Sequence, residues 1–145
     1  MKKYRRGIFI VAYARTKRGI EYLVLKRRLH WNGWEFPKGG IEKNENYIHV
    51  VKREVLEETG KKPLKIINLN VNGKYKYKKK LKDRPGIIGQ SYKLYATEIK
   101  RENIKIDRFE HSGYKWLNFE KAVKKLTWKN QRESLKIVNK FLKNE

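Results

Sequence analysis

The sequence predicts an α/β fold, formed by a single domain that spans residues 1–145. Several short segments alternate apolar and polar residues and are rich in Ile, Val and aromatic side chains, which is typical of strands. Two longer segments, one in the middle of the chain and one at its C-terminal end, repeat apolar residues at helical spacing. At 145 residues the chain is long enough to bury a core, and 39% of its residues are hydrophobic.

The N-terminal part of the chain is predicted to form two strands and a loop. Residues 7–14 alternate and favour a first strand, and residues 21–26 favour a second. The turn-like segment 16–19 joins them. Residues 29–40 are expected to form a loop, which carries two Trp, one Phe and one Pro.

A helix is predicted from Tyr47 to Thr59. Asn46 is a suitable N-cap, and Gly60 is a suitable left-handed residue to end the helix, with Pro63 just beyond it. The residues expected to face the core are Ile48, Val51 and Val55. The acidic residues expected on another side of the helix are Glu54, Glu57 and Glu58.

The rest of the chain is predicted to contain three strands and two helices. Strands are expected at 64–77, 87–99 and 114–117, with a solvated, lysine-rich turn at 78–86. A helix is expected at 119–126. A final amphipathic helix is predicted from the spacing of Gln131, Leu135, Val138 and Leu142.

The composition limits the class of protein. The chain has no cysteine, which excludes disulfides and thiolate metal sites, and no apolar run long enough for a membrane span. The basic and then apolar N terminus lacks a small-residue cleavage site, so we interpret it as a strand and expect a cytoplasmic protein. The net charge of +23 favours polyanionic partners such as nucleotides, polyphosphates or RNA. A surface like that of thermophilic proteins explains the charge equally well.

Three glutamates form the most informative cluster in the chain. Glu54, Glu57 and Glu58 are spaced at i, i+3 and i+4, so a helix places them on one face. In so basic a chain this clustering is costly unless a positive group lies between the carboxylates. A hard divalent cation, which takes oxygen ligands, is the obvious candidate. Surface ion pairs, such as Arg53 with Glu57, are the alternative.

The spacing around this cluster resembles the Nudix box. Gly39 is followed after five residues by Glu45, and after seven more by the run Arg-Glu-Val-x-Glu-Glu-x-Gly from Arg53 to Gly60. The resemblance implies a Nudix-type α/β/α sandwich with a mixed β-sheet. It also implies a hydrolase that cleaves a nucleoside diphosphate linked to another group, with Mg²⁺ or Mn²⁺. Lys61 departs from the pattern, because the family usually has an apolar residue there.

The same resemblance implies a role for each residue of the box. The implied metal ligands are Glu54, Glu57, Glu58 and the backbone carbonyl of Gly39. The implied catalytic residues are Glu57, Glu54, Arg53, Glu45 and Glu110. Arg53 is expected to hold Glu45 or Glu57 in place. Which glutamate orients or deprotonates the attacking water stays open.

Two further segments resemble diadenosine tetraphosphate hydrolases. Residues 34–39, Trp-Glu-Phe-Pro-Lys-Gly, resemble the segment before the box in those enzymes and in RNA-decapping Nudix enzymes. Residues 109–117 resemble their Glu-His-x-x-Tyr-x-Trp-Leu segment, in which Glu110 is a candidate for the distal carboxylate or a simple loop charge. The implied substrate contacts are Lys38 for phosphate, Tyr77 for adenine stacking, and Tyr114. Gly40 departs, because many of these hydrolases have histidine there.

Three functions follow from these observations. The first is Mg²⁺-dependent asymmetric hydrolysis of diadenosine tetraphosphate, a small-molecule nucleotide, to ATP and AMP. The second is pyrophosphohydrolysis at RNA 5′ ends, which the lysine-rich segment 74–82 favours. The third is a non-catalytic module that binds polyanions or nucleic acid, which the intact set of glutamates argues against. No membrane partner is expected, and the sequence leaves the oligomeric state and the preferred metal open.

Overall fold

A seven-stranded mixed sheet organises the computed structural model, which describes residues 3–145. In chain order the elements are β1 (Lys3–Thr16), β2 (Gly19–Arg27), β3 (Gly33–Glu35), β4 (Lys38–Gly40), α1 (Tyr47–Thr59), β5 (Lys65–Lys76), β6 (Ile87–Glu98), β7 (His111–Leu117), α2 (Phe119–Lys125) and α3 (Lys129–Lys143). Five strands run in the order β3-β2-β1-β6-β5, while β4 pairs with β1 and β7 pairs with β2. The long pairing of β1 with β6 is parallel and the other pairings are antiparallel, so the sheet is mixed as expected.

The central strand β1 is buried on both of its faces. Phe9, Val11 and Tyr13 point to a core that includes residues of α2 and α3. The alternate residues Ile8 and Ile10 point to a second core that includes residues of α1. Helices therefore cover the sheet on both sides, and the predicted α/β/α sandwich is confirmed.

Helix α1 has the predicted bounds and caps. The Asn46 side chain accepts hydrogen bonds from the backbone N–H groups of Ile48 and His49, and Gly60 ends the helix at a φ of 74°. These contacts satisfy donors that the first turn leaves free, and the left-handed residue suits glycine. The prediction for this helix is confirmed at both ends.

The buried face of α1 differs from the predicted one. Ile48 is 41% exposed and is not a core residue, whereas Val50 is fully buried. Glu58 was expected away from the core but is 1% exposed. The reason is helical spacing, since Glu58 follows Val51 by seven residues and Val55 by three and therefore lies on their face. The fold thus buries one acid of the box.

The sequence predicts that the segment 29–40 is a loop, but part of this segment forms strands. It contains β3, which pairs with β2, and β4, which pairs with β1. These strands are only three residues long and contain Gly and charged residues, so they carry no alternation. Likewise β7 begins at His111 rather than at residue 114. Within residues 3–145, no helix is long and apolar enough to cross a membrane.

Candidate active site

Strand β4 and helix α1 bring Gly39 against Glu54. A Cβ atom added to Gly39 would collide with the carboxyl group of Glu54. Only a residue without a side chain allows this approach. The backbone of β4 and the acidic face of α1 therefore meet where the sequence predicts a metal site.

Glu58 and Glu110 approach each other from opposite parts of the chain. A carboxylate oxygen of each and a ring nitrogen of His111 all lie within 4.8 Å of one another. Glu110 is 31% exposed, so its carboxylate can be reached from solvent, while Glu58 and His111 are buried. Glu57 lies further out on α1, with a side chain that is 54% exposed.

The surroundings of Glu54 and Glu58 disfavour the ionised forms of these two acids. Neither carboxylate oxygen of Glu58 has a hydrogen-bond partner among the residues that the structure describes. Burial, followed by the charges of Glu54 and Glu110, raises the pKa of Glu58 well above its ordinary value. Burial and the charge of Glu57 raise the pKa of Glu54 to about 7. A divalent cation with oxygen ligands would fit this set of donors and stabilise their ionised forms.

Arg53 ties the exposed side of the cluster together. Its guanidinium lies 3.2 Å from Glu45, 3.1 Å from Glu54 and 3.9 Å from Glu57. Glu45 also accepts a hydrogen bond from the backbone N–H of Glu42, at 2.7 Å, which closes the loop before α1. The arginine therefore orients three of the carboxylates while leaving Glu58 to the interior.

A second charged group lies behind these acids and is centred on Glu35. Its carboxylate is fully buried and lies 2.8 Å from Nε2 of His111, 3.2 Å from Nη1 of Arg27 and 3.2 Å from Nζ of Lys38. Burial acts to raise the pKa of Glu35, but Lys38, His111 and Arg27 together lower it to about 2. Arg27 also reaches Glu110, with 3.5 Å between Nη1 and Oε2.

One cavity of about 1070 Å³ joins the carboxylates to a basic and aromatic region. Its acidic lining residues are Glu54, Glu57, Glu58, Asp107, Glu110 and Glu133. Its aromatic and basic lining residues include Trp31, Lys38, Lys74, Tyr75, Lys76, Tyr77, Lys78, Lys79, Arg84 and Trp128. A cavity with this combination of groups can hold a cation, several phosphates and a base together.

The predicted substrate contacts do not all meet at this cavity. Lys38 and Tyr77 line it, and the Tyr77 hydroxyl accepts a hydrogen bond from Arg84 at 2.7 Å. Tyr114 does not belong to its lining. It packs against the core on the α1 side and lines a separate, smaller cavity, with its hydroxyl 3.5 Å from Oδ1 of Asn103. The structure therefore gives Tyr114 no place beside the other candidates, because β7 directs it to that core.

Sequence reasoning missed the Glu35 group. Arg27 ends β2, Glu35 ends β3 and His111 begins β7, so only the pairing of these strands brings them together. One local signal was available, since a glutamate between Trp34 and Phe36 stands in an apolar setting that demands a charged partner. Lys38, three residues further on, is a local candidate for that partner, whereas His111 is 76 residues away.

Comparison with known proteins agrees with this fold. The chain matches the NUDIX domain model over residues 3–137. It is 29% identical to an RNA pyrophosphohydrolase from Histophilus somni over 140 residues, which cover 85% of this chain and 73% of that protein.

Two solved structures have a similar fold. A C. elegans Ap4A hydrolase superposes with a TM-score of 0.76 and 21% identity, covering 97% of this chain and 99% of that one. The E. coli dihydroneopterin triphosphate pyrophosphohydrolase superposes with a TM-score of 0.77 and 22% identity, covering 95% and 99%. At these low sequence identities, the two similarities support a shared fold and give no evidence about the substrate.

Proposed function

Because the chain belongs to the Nudix family of pyrophosphohydrolases, which act on nucleotide-linked phosphoanhydrides, we propose that it hydrolyses diadenosine tetraphosphate asymmetrically to ATP and AMP. The observation that carries this proposal is the single cavity in which carboxylates, lysines and aromatic rings share about 1070 Å³. A dinucleotide offers four phosphates to the charged groups and flat bases to the rings. The segments 34–39 and 109–117 support the same substrate by resemblance.

We assign the metal site to Glu54, Glu57, Glu58 and the backbone carbonyl of Gly39. The close approach of Gly39 to Glu54 and the lack of partners for Glu58 within residues 3–145 support this assignment. When bound there, Mg²⁺ or Mn²⁺ would neutralise charge on the non-bridging phosphate oxygens. Arg53 keeps Glu54 and Glu57 oriented toward that position.

The other steps fall to side chains of the cavity. Glu110, accessible and next to Glu58, is the carboxylate that we assign to orienting the attacking water and accepting its proton. Water adds to one phosphorus, a P–O bond of the anhydride breaks, and the departing phosphate leaves as part of ATP or AMP. Lys38 contacts phosphate, and Tyr77 stacks on a base.

A Mg²⁺-supported substrate panel tests the proposal. It contains diadenosine tetraphosphate, nucleoside triphosphates, ADP-ribose and 5′-triphosphate RNA. We expect the highest kcat/KM on the dinucleotide, with ATP and AMP as equimolar products by chromatography. If the dinucleotide is left intact while another member of the panel is cleaved, the substrate assignment is wrong and the family chemistry stands.

The second candidate function is removal of pyrophosphate from RNA 5′ ends. It is favoured by the similarity to an RNA pyrophosphohydrolase and by four lysines of the cavity lining between residues 74 and 79. Binding of a long RNA releases counterions, so its kcat/KM should fall roughly tenfold or more between 50 and 200 mM KCl. The dinucleotide should show a much shallower dependence, because it meets fewer of these lysines.

A further inference from the structure

Glu35 is a buried acid that touches the groups of the cavity without lining it. Its side chain is fully buried, while two of its partners, Arg27 and Lys38, line the cavity. We propose that Glu35 is the positioning residue of the active site. Its buried carboxylate holds Lys38 in position to contact phosphate and, through Arg27, holds Glu110 in position to orient the attacking water. This inference rests on the roles that the proposed function gives to Lys38 and Glu110.

The Glu35 carboxylate makes two sets of contacts with residues of the cavity, which we call its two arms. On one arm, Oε1 lies 3.2 Å from Nζ of Lys38, and Lys38 is only 14% exposed. On the other arm, Oε2 lies 3.2 Å from Nη1 of Arg27, and the same Nη1 lies 3.5 Å from Oε2 of Glu110. Arg27 is thus shared between a buried acid and the accessible acid of the cavity.

His111 fixes the carboxylate from a third side. Its Nε2 lies 2.8 Å from Oε2 of Glu35, and because an ionised carboxylate only accepts, Nε2 is the donor. His111 is the first residue of β7, and Glu110 is the last residue of the loop before it. The bond from His111 to Glu35 therefore also anchors the chain that presents Glu110. The backbone N–H groups of Arg28 and Leu29 bond to the carbonyl of Glu110, at 2.9 and 3.3 Å, and strengthen the same anchor.

The charge of Glu35 matters as well as its shape. Lys38 and Arg27 both lie in the wall with little exposure, and Glu35 is the acid that both of them contact. Without a negative charge between them, the two cations would repel each other and Lys38 would turn toward solvent. A neutral residue of equal size therefore keeps the packing but loses the placement of both arms.

The variant Glu35→Gln tests this role, measured on whichever substrate of the panel the wild type cleaves fastest. We expect kcat to fall and KM to rise, each at least about threefold, so that kcat/KM falls at least about tenfold. Tripolyphosphate binding by calorimetry, which needs no turnover, should weaken at least about threefold. An unchanged or tighter tripolyphosphate affinity, as expected if Glu35 merely competes for Lys38, overturns the proposal.

A double-mutant cycle with Lys38→Met separates positioning from folding. Lys38→Met should weaken tripolyphosphate binding in the wild type but by less than half that factor in the Glu35→Gln background, because Lys38 is already displaced there. Additive effects contradict the proposal. The control is Tyr22→Phe, which removes the buried 2.8 Å bond to Asn139 away from the cavity. It should lower Tm and leave kcat/KM and tripolyphosphate binding unchanged.

The cycle also distinguishes this inference from the proposed function. If the wild type cleaves no phosphoanhydride of the panel, the proposed function fails, and the calorimetric cycle still decides whether Glu35 positions Lys38. If Glu35→Gln folds with a Tm near the control but loses no affinity and no kcat/KM, the inference fails while the hydrolase assignment stands.

Discussion

Two glutamates beside the same cavity are buried equally and behave in opposite ways. Glu35 is 0% exposed and Glu58 is 1% exposed. Glu35 contacts Arg27, Lys38 and His111, whereas Glu58 has no hydrogen-bond partner in the part of the chain that the structure describes. Burial acts to raise the pKa of both, but the neighbours of Glu35 lower its pKa to about 2 and those of Glu58 raise its pKa further.

The difference shows that the neighbouring charges, and not burial, decide what a buried acid does. Glu35 receives its counterions from the chain itself. Glu58 faces Glu54 and Glu110, which are further negative charges, so its ionised form would need a cation from outside. The fold therefore carries a destabilising cluster that metal binding would relieve.

The largest effect is expected from Glu58→Gln on activity. A bound metal ion is worth several kcal/mol of transition-state stabilisation, so loss of this ligand should lower kcat/KM by about 10³-fold. Calorimetry should show weaker Mn²⁺ binding in the same variant. Turnover close to the wild-type value would show that Glu58 is not a metal ligand.

Replacing each of the two buried acids with glutamine should also change the thermal stability of the metal-free protein, in opposite directions. Glu35→Gln leaves two buried cations without their shared acid, and breaking such a pair costs roughly 3–5 kcal/mol. Glu58→Gln removes an unpaired buried charge, and we expect a Tm about 2–4 °C higher, the shift that ~1 kcal/mol produces at this size. Thermal unfolding in EDTA at pH 8 measures both.

The pH dependence of these stability changes follows from the pKa directions. The pKa of Glu58 is raised in the folded state, so its ionisation destabilises the fold as the pH rises above the unfolded value of about 4.3. The gain from Glu58→Gln should therefore grow from pH 5 to pH 8. The pKa of Glu35 is lowered, so its contribution is present above about 4.3 and is lost as the pH falls toward 2. Stability changes of the same sign for Glu35→Gln and Glu58→Gln would contradict the opposite behaviour of the two acids.

A smaller effect is expected from Gly39→Ala. The added methyl group would meet the carboxyl group of Glu54, and either the strand or the glutamate must shift. Because displacement of groups that support a metal ligand costs roughly 10–100-fold, kcat/KM should fall within that range. A matched control is Gly19→Ala, at a turn where a Cβ would meet nothing within 4 Å. That control strains the backbone and should lower Tm without changing Mn²⁺ affinity.

The contrast between Glu35 and Glu58 also explains what the sequence could predict. The caps of α1, the spacing of Glu54 and Glu58, and the loop from Gly39 to Glu45 are local, so a motif records them. Asn44, which lies in this loop, has a positive φ of 71°, a conformation that asparagine tolerates better than most residues. The partners of Glu35 lie three, eight and 76 residues away in sequence, and the sequence alone does not show that the fold brings all of them to one carboxylate.

The smallest effect is expected at a partly exposed ion pair outside the cavity, in which the side chain of Arg101 is 46% exposed and that of Glu21 is 15% exposed. Glu21 pairs with Arg101 at 2.8 Å on the surface of the sheet, outside the cavity lining. Surface pairs of this kind contribute about 0–1 kcal/mol, because water already stabilises both charges and salt screens them. Glu21→Gln should therefore shift Tm by no more than about 3 °C in low salt, and less at 1 M KCl, with kcat/KM unchanged. A larger loss of activity would mean that net charge, rather than the partners of Glu35 and Glu58, controls the site.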